Sequence, residues 1–157
     1  TLAVQSDKSR VDFIGSKAAD FHTGTFTVKG GSVQVEGGKL VGGSFVIDLA
    51  NLKVTDAAGE RLAGHLKSAD FFDVAKFGEA TYTISSVDYS SATACTINGT
   101  LNIKGVGVPV SFASNIRSAS EKGLFGQAFF SLDRTLLGIA YAGPSKDVQI
   151  AVHLFAK

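Results

Sequence analysis

Apolar and polar residues alternate with a period of two along most of this chain, and that pattern leaves few folds open to it. In residues 97–104, Ile97, Leu101 and Ile103 share one face with Gly99, while Asn98, Thr100, Asn102 and Lys104 take the other. Residues 108–117 repeat the pattern, setting Val108, Val110, Phe112 and Ile116 against Ser111, Asn115 and Arg117. In 148–154, Val148, Ile150, Val152 and Leu154 stand against Gln149, Ala151 and His153. Comparable runs occupy 9–17, 25–36, 39–49, 79–89 and 124–133. The pattern predicts eight strands, with Gly30-Gly31 as a bend or bulge inside the second.

The joints between these runs are short: Glu36-Gly37-Gly38-Lys39, Lys104-Gly105-Val106-Gly107 and Glu121-Lys122-Gly123. Such turns join antiparallel neighbours, because a parallel pair needs a crossover of about a dozen residues or more. Antiparallel strands with one apolar face remove their exposed edges by closing into a barrel. An eight-stranded barrel has room inside for side chains or for one apolar ligand. The expected fold is therefore all-β, an eight-stranded antiparallel barrel, with a β-sandwich as the alternative. With 157 residues, no internal repeat and no linker, the chain is read as one domain, 1–157.

One stretch breaks the pattern. In Arg61-Leu62-Ala63-Gly64-His65-Leu66-Lys67-Ser68-Ala69-Asp70-Phe71-Phe72-Asp73, residues 62, 65, 66 and 69 fall on one helical face. Asp56 can cap a helix running to about Lys67. So short a helix, carrying Gly59 and Gly64, is not stable alone and must dock on an apolar surface. The open end of a barrel is such a surface, and Phe71, Phe72 and Phe77 follow as anchors.

Charge gives no support to two classes of partner. Fifteen basic residues against 14 acidic ones leave a net +1, so neither a nucleic acid nor an anionic membrane surface is expected as a partner on that ground. No apolar run approaches the ~18–20 residues of a spanning helix, so the chain is not expected to be membrane-spanning. Charged residues make up only 18 %, which leaves a surplus of apolar residues for a core or for the lining of an apolar chamber.

Reactive constellations are not evident. His22, His65 and His153 lie far apart, and Cys95 stands alone, so neither a metal nor a disulfide is expected. Cys95 reads as a small buried hydrophobe. No nucleophile elbow, phosphate loop or dinucleotide fingerprint occurs, and no cofactor is expected.

Longer stretches are similar to a known family. The segment "GHLKSADFFDVAKFGEATYT" from Gly64 resembles the segment that marks the YceI-like family, a helix followed by a Phe-Phe-Asp run and a strand entry. The opening hairpin from Phe21, the "GTLNIKGVGVPVSF" segment from Gly99 and the "LDRTLLGIAY" segment from Leu132 are similar to further parts of that family, in order. The resemblance implies a lipocalin-like barrel that holds a long-chain isoprenoid, an isoprenoid quinone or another amphiphilic lipid. It implies a periplasmic or secreted protein. The chain contains no methionine, which adds the expectation that a signal peptide preceded Thr1. One departure stands in Val11-Asp12-Phe13, where many relatives place a tryptophan; a smaller aromatic there alters the pocket.

On that reading, strand phase nominates Phe13, Phe45, Tyr82, Phe112, Phe130, Leu132 and Leu154 as lining, with Phe71, Phe72 and Phe77 walling one end. His65, Lys67, Arg134 and Tyr141 are candidates for a head group at the mouth, against the alternatives of a structural His65, a solvated Lys67 at the helix end and an Arg134 paired with Asp133, Asp70 or Asp73. Plain core packing is an equal alternative for each apolar candidate. Two other functions stay open. One is an enzyme acting on a small apolar substrate, which would need inward polar residues such as Ser44, Asp48, Ser86 and Asp88. The other is a filled barrel serving as a structural or stress-related interaction module. The expected partner is a lipid, and a homodimer is compatible with either non-enzymatic reading.

Overall fold

Nine strands form one antiparallel sheet: β1 (Leu2–Ala3), β2 (Arg10–Lys17), β3 (Asp20–Glu36), β4 (Lys39–Val54), β5 (Glu79–Tyr89), β6 (Ala94–Ile103), β7 (Val106–Ser120), β8 (Gly123–Asp133) and β9 (Asp147–Ala156). The computed structural model describes residues 1–17, 20–56, 59–68, 74–137 and 147–157. Each of β2 to β9 pairs with its chain neighbours, and β9 pairs back onto β2, so the eight long strands close into a barrel. Closure removes the edges that an open sheet of this length would expose. The two-residue β1 pairs with β3 at Leu2↔Val33, and Val4 bridges to Ala156, so the N-terminal residues brace the barrel beside β2.

Local chemistry sets the turns. Gly37 and Gly38, between β3 and β4, both have positive φ, as do Lys104 and Gly105 between β6 and β7. Two such residues in succession make the tight turn whose twist matches that of the flanking strands. The bulge expected at Gly30-Gly31 is present: register against β4 shifts between Val28 and Gly30, and Gly31 has φ 142°. A side chain at Gly31 would meet the Ser44 carbonyl at 2.3 Å, so only glycine fits this close approach.

Two strands are longer than the alternation indicates. β3 begins at Asp20, and β4 runs on to Val54 through an irregularity that takes Asp48 opposite Thr27 but Lys53 opposite Thr25. Asp48 stabilises that irregularity by accepting the Ala50 and Asn51 N–H groups and the Asn51 side-chain amide.

The single helix among the described residues, α1 (Gly59–Lys67), packs on β4 at one end of the barrel. Ala63, outside the face expected from spacing, is its most deeply buried residue; Leu62, His65 and Leu66 are half-buried. Asp56, just before the helix, reaches across to β3, where its carboxylate accepts the Thr23 N–H at 2.9 Å and meets His22 Nδ1 at 3.1 Å. A 3-10 turn (Arg134–Leu137) follows β8 at the same end, and Asp133 caps it through Thr135.

Candidate functional site

The two ends of the barrel differ. At the end opposite α1, inward side chains are sealed: Leu2, Val4, Val33, Leu40, Cys95 and Leu124 are all buried. The β3–β4 turn leans over this end, with Gly38 near the Ala119 carbonyl, and Tyr89 donates its hydroxyl to the Leu40 carbonyl at 2.8 Å. Burial raises the Cys95 thiol above its ordinary range, which keeps it protonated and unreactive.

Across the middle runs a chain of aromatic rings. Phe45 lies 5.7 Å from Tyr82, Tyr82 lies 5.4 Å from Phe112, and Phe112 stacks on Phe130 at 4.6 Å. Phe13 pairs with Phe26 at 5.0 Å. Tyr82 is held by a 2.8 Å hydrogen bond from its hydroxyl to the Val110 carbonyl. Its ring crosses Gly99, where a Cβ would sit 2.7 Å from the ring. Burial pushes the Tyr82 hydroxyl up to about 12, so it serves as a neutral donor.

Toward the α1 end, Leu49, Ala80, Ile103 and Val108 on β4 to β7 are buried, and the β8–β9 part of the inward surface is less deeply covered. Phe130 and Leu132 on β8, and Val148 and Ile150 on β9, point inward yet are only half-buried. Val106 is opposite the buried Ile103, on the inward phase of β7, yet it is 45 % exposed. A break in the wall coincides with this exposure. The β7–β8 ladder stops at Ser114↔Ala128, so the first half of β7 and the last residues of β8, from Phe129, share no rung. Both half-strands are fully bonded on their other sides, β7 to β6 and β8 to β9. The result is a seam without backbone pairing that runs from the Phe112–Phe130 stack toward the barrel mouth, where the 3-10 turn touches β7.

The nominated residues divide along these lines. Phe45, Tyr82, Phe112 and Phe130 form the ring chain, Phe13 lies beside it, and Leu132 sits opposite Val148 at the mouth. Leu154 belongs to the sealed end. Phe77 is half-buried outside the barrel bottom, its ring against Gly105. His65 and Lys67 are half-buried on α1, and Arg134 is buried at the start of the 3-10 turn. Phe71, Phe72 and Tyr141 lie outside the described residues. Phe26, Val148 and Ile150 escaped nomination although they stand on the inward phase of their strands.

The four polar residues expected inside are not there. Ser86 and Asp88 bind the Asn98 side chain on the exposed outer face. Ser44 sits opposite the exposed Ser32 and Thr83, and Asp48 bonds the backbone of its own strand. A register shift between Ile84 and Ser86 moves the end of β5 into the other phase. Among the described residues, no buried side-chain nitrogen or oxygen lacks a hydrogen-bond partner, and no group of three His, Cys, Asp or Glu could hold a metal. Among the described residues, the less covered inward surface of β8 and β9 is built of Phe130, Leu132, Val148 and Ile150.

Residues 2–156 match the family model of the YceI-like domain. No curated protein matches the chain in sequence. Among solved structures, BcnA from Burkholderia cenocepacia superposes with a TM-score of 0.83 at 19 % identity, over 98 % of this chain and 99 % of that one. A polyisoprenoid-binding domain from Saccharophagus degradans, implicated in plant cell wall breakdown, gives 0.80 at 17 % identity, over 99 % of this chain and 97 % of that one. A YceI protein from Campylobacter jejuni gives 0.71 at 15 % identity, over 81 % of this chain and 80 % of that one. At these identities the superpositions establish a shared fold.

Proposed function

Because the chain belongs to the YceI-like family, we propose that it is a non-enzymatic carrier for a long-chain isoprenoid or similar amphiphilic lipid, held in the α1-end half of the barrel. The observation that carries this reading is the incomplete burial of Phe130, Leu132, Val148 and Ile150 on the inward face. They form a partly exposed apolar wall that packs against the core and is continuous with the rings of Phe112 and Tyr82.

An isoprenoid tail suits that wall. It carries methyl, methylene and isolated double-bond groups, and it needs area and shape rather than hydrogen bonds. Transfer from water contributes about 0.8 kcal/mol per CH₂-sized group, hence roughly 4 kcal/mol per five-carbon unit before ordering costs. The polyisoprenoid-binding domain of the same fold supports this ligand class. The apolar character of the interior supports carriage over catalysis, since among the described residues no buried side-chain nitrogen or oxygen is left without a hydrogen-bond partner. The family resemblance supports placing the carrier in the periplasm or outside the cell.

Native mass spectrometry of protein purified without detergent, followed by organic extraction, tests the proposal. A stoichiometric adduct that releases a polyprenol, an isoprenoid quinone or a related lipid is expected. A chain that stays at its apo mass after incubation with polyprenols and isoprenoid quinones would overturn it.

A further inference from the structure

The five exposed large hydrophobic side chains among the described residues are not spread evenly. Val41 lies at the sealed end, and Phe21 on the β2–β3 hairpin. The other three border the seam. Phe129, 64 % exposed, is the first β8 residue beyond the last β7–β8 rung and faces outward, opposite Ala151. Leu136, 59 % exposed, is on the 3-10 turn that follows β8 and touches β7. Val106 forms the β7 lip of the opening.

Cations accompany them. Lys104 occupies the β6–β7 turn two residues from Val106, and Lys76 precedes Phe77, whose ring packs on that same turn. Neither lysine forms an ion pair among the described residues, whereas Glu79 nearby is taken up by Lys29.

We infer that the seam side of the α1 end docks on a phospholipid bilayer, with Phe129, Leu136 and Val106 entering the interface and Lys76 and Lys104 meeting lipid phosphates. The arrangement suits this occupant. A protein partner covers a contiguous patch, whereas these three side chains stand apart around an opening, each able to enter acyl chains singly. Ammonium groups with no ion pair among the described residues, beside apolar side chains, match the layering of a bilayer, with phosphate above hydrocarbon. The docked face also holds the stretch where β7 and β8 share no rung, beside the incompletely buried Phe130 and Leu132, so parting of these strands would let a tail pass between bilayer and barrel without crossing water. The inference rests on the carrier reading for its purpose, but docking is measurable without any ligand.

The test is flotation of the purified full chain with vesicles of phosphatidylcholine containing phosphatidylglycerol, and its extracted lipid is determined in parallel. The wild type should float, and raising the salt should weaken binding by screening the lysines. The double variant Phe129→Ser/Leu136→Ser should reduce the vesicle-bound fraction about tenfold or more. Both side chains are exposed, so its thermal unfolding should match the wild type. Val41→Ser, at the far end, should float normally. A wild type that does not float, or a double variant that floats equally well, overturns the docking face even if lipid is extracted. A protein that floats through these residues but stays at its apo mass after incubation with polyprenols and isoprenoid quinones upholds the docking face and overturns the carrier reading instead.

Discussion

Phe112 and Phe130 stack with centroids 4.6 Å apart and planes 8° from parallel, across a stretch where their strands share no backbone hydrogen bond. Ring contact therefore takes over where the ladder ends. On one side of the pair the wall is bonded; on the other it is open. The two rings are not equivalent, since Phe112 is buried and Phe130 half-buried at the edge of the opening.

That asymmetry gives the first prediction. Phe112→Ala removes a ring from the middle of the core and should cost about 3–5 kcal/mol. Phe130→Ala loses the stacking and a partly exposed surface, and should cost about 1–2 kcal/mol. Phe130→Ala should also release a bound polyene isoprenoid faster, because the inner end of the seam loses its closure. Urea titration and a stopped-flow release assay check both. Equal stability losses, or an unchanged release rate, would remove the seam's assigned role.

Gly99 and Tyr82 make a second pair whose fit is measurable. A methyl at position 99 would lie 2.3 Å from the Thr83 carbonyl and 2.7 Å from the Tyr82 ring, and β5 cannot retreat without breaking its ladder to β4. Gly99→Ala should therefore destabilise by about 1–3 kcal/mol, the usual penalty of overpacking. Tyr82→Phe keeps the ring but gives up its bond to the Val110 carbonyl, at a cost of about 1 kcal/mol. In the double variant Gly99→Ala/Tyr82→Ala the alanine at 99 should cost less than it does beside the tyrosine, and calorimetric midpoints for the set decide the matter.

Much of this was legible in the sequence, and the failures have physical causes. Alternation places Phe45, Tyr82, Phe112 and Phe130 inside because each stands on the apolar phase of a regular strand. It misses the start of β3 because the phase that carries Phe26 holds Gly24 and His22 further back, so the contrast between faces disappears. It misses the end of β4 because the extra residues after Asp48 shift the phase. It puts Ser86 and Asp88 inside for the same reason, the shift after Ile84. The seam had no sequence signal at all. Alternation tells which face a residue takes, but not where a strand stops bonding to its neighbour.

The Tyr82 hydroxyl predicts a pH dependence. Burial pushes its pKa to about 12 from an ordinary 10.0, so the folded chain keeps a proton that the unfolded chain releases first. More protons bound in the folded state means stability falls as pH rises. The contribution is complete below pH 10 and is lost between about pH 10 and 12, amounting to roughly 2–3 kcal/mol. Tyr89 and Cys95 are raised by burial too, so alkaline loss should be reduced rather than abolished in Tyr82→Phe. Denaturant midpoints at pH 9 and 11.5 for the two proteins test this, and identical slopes would count against a buried neutral Tyr82.

The last prediction concerns α1. Ala63 is 2 % exposed where the helix meets β4, and nine residues with two glycines do not hold a helix in water without that contact. Ala63→Asp would bury a carboxylate against hydrocarbon, at a cost that exceeds what docking of one short helix returns. The cheaper outcome is release of the helix while the barrel, closed by its own ladders, remains. Amide exchange should therefore accelerate throughout α1 and stay slow at Ile97 and Ile116, whose strands do not depend on the helix. On the carrier reading lipid retention should fall, because α1 covers the end at which the inward wall of β8 and β9 is less deeply buried. Equal acceleration in α1 and β6 would show instead that the helix is part of the barrel's cooperative core.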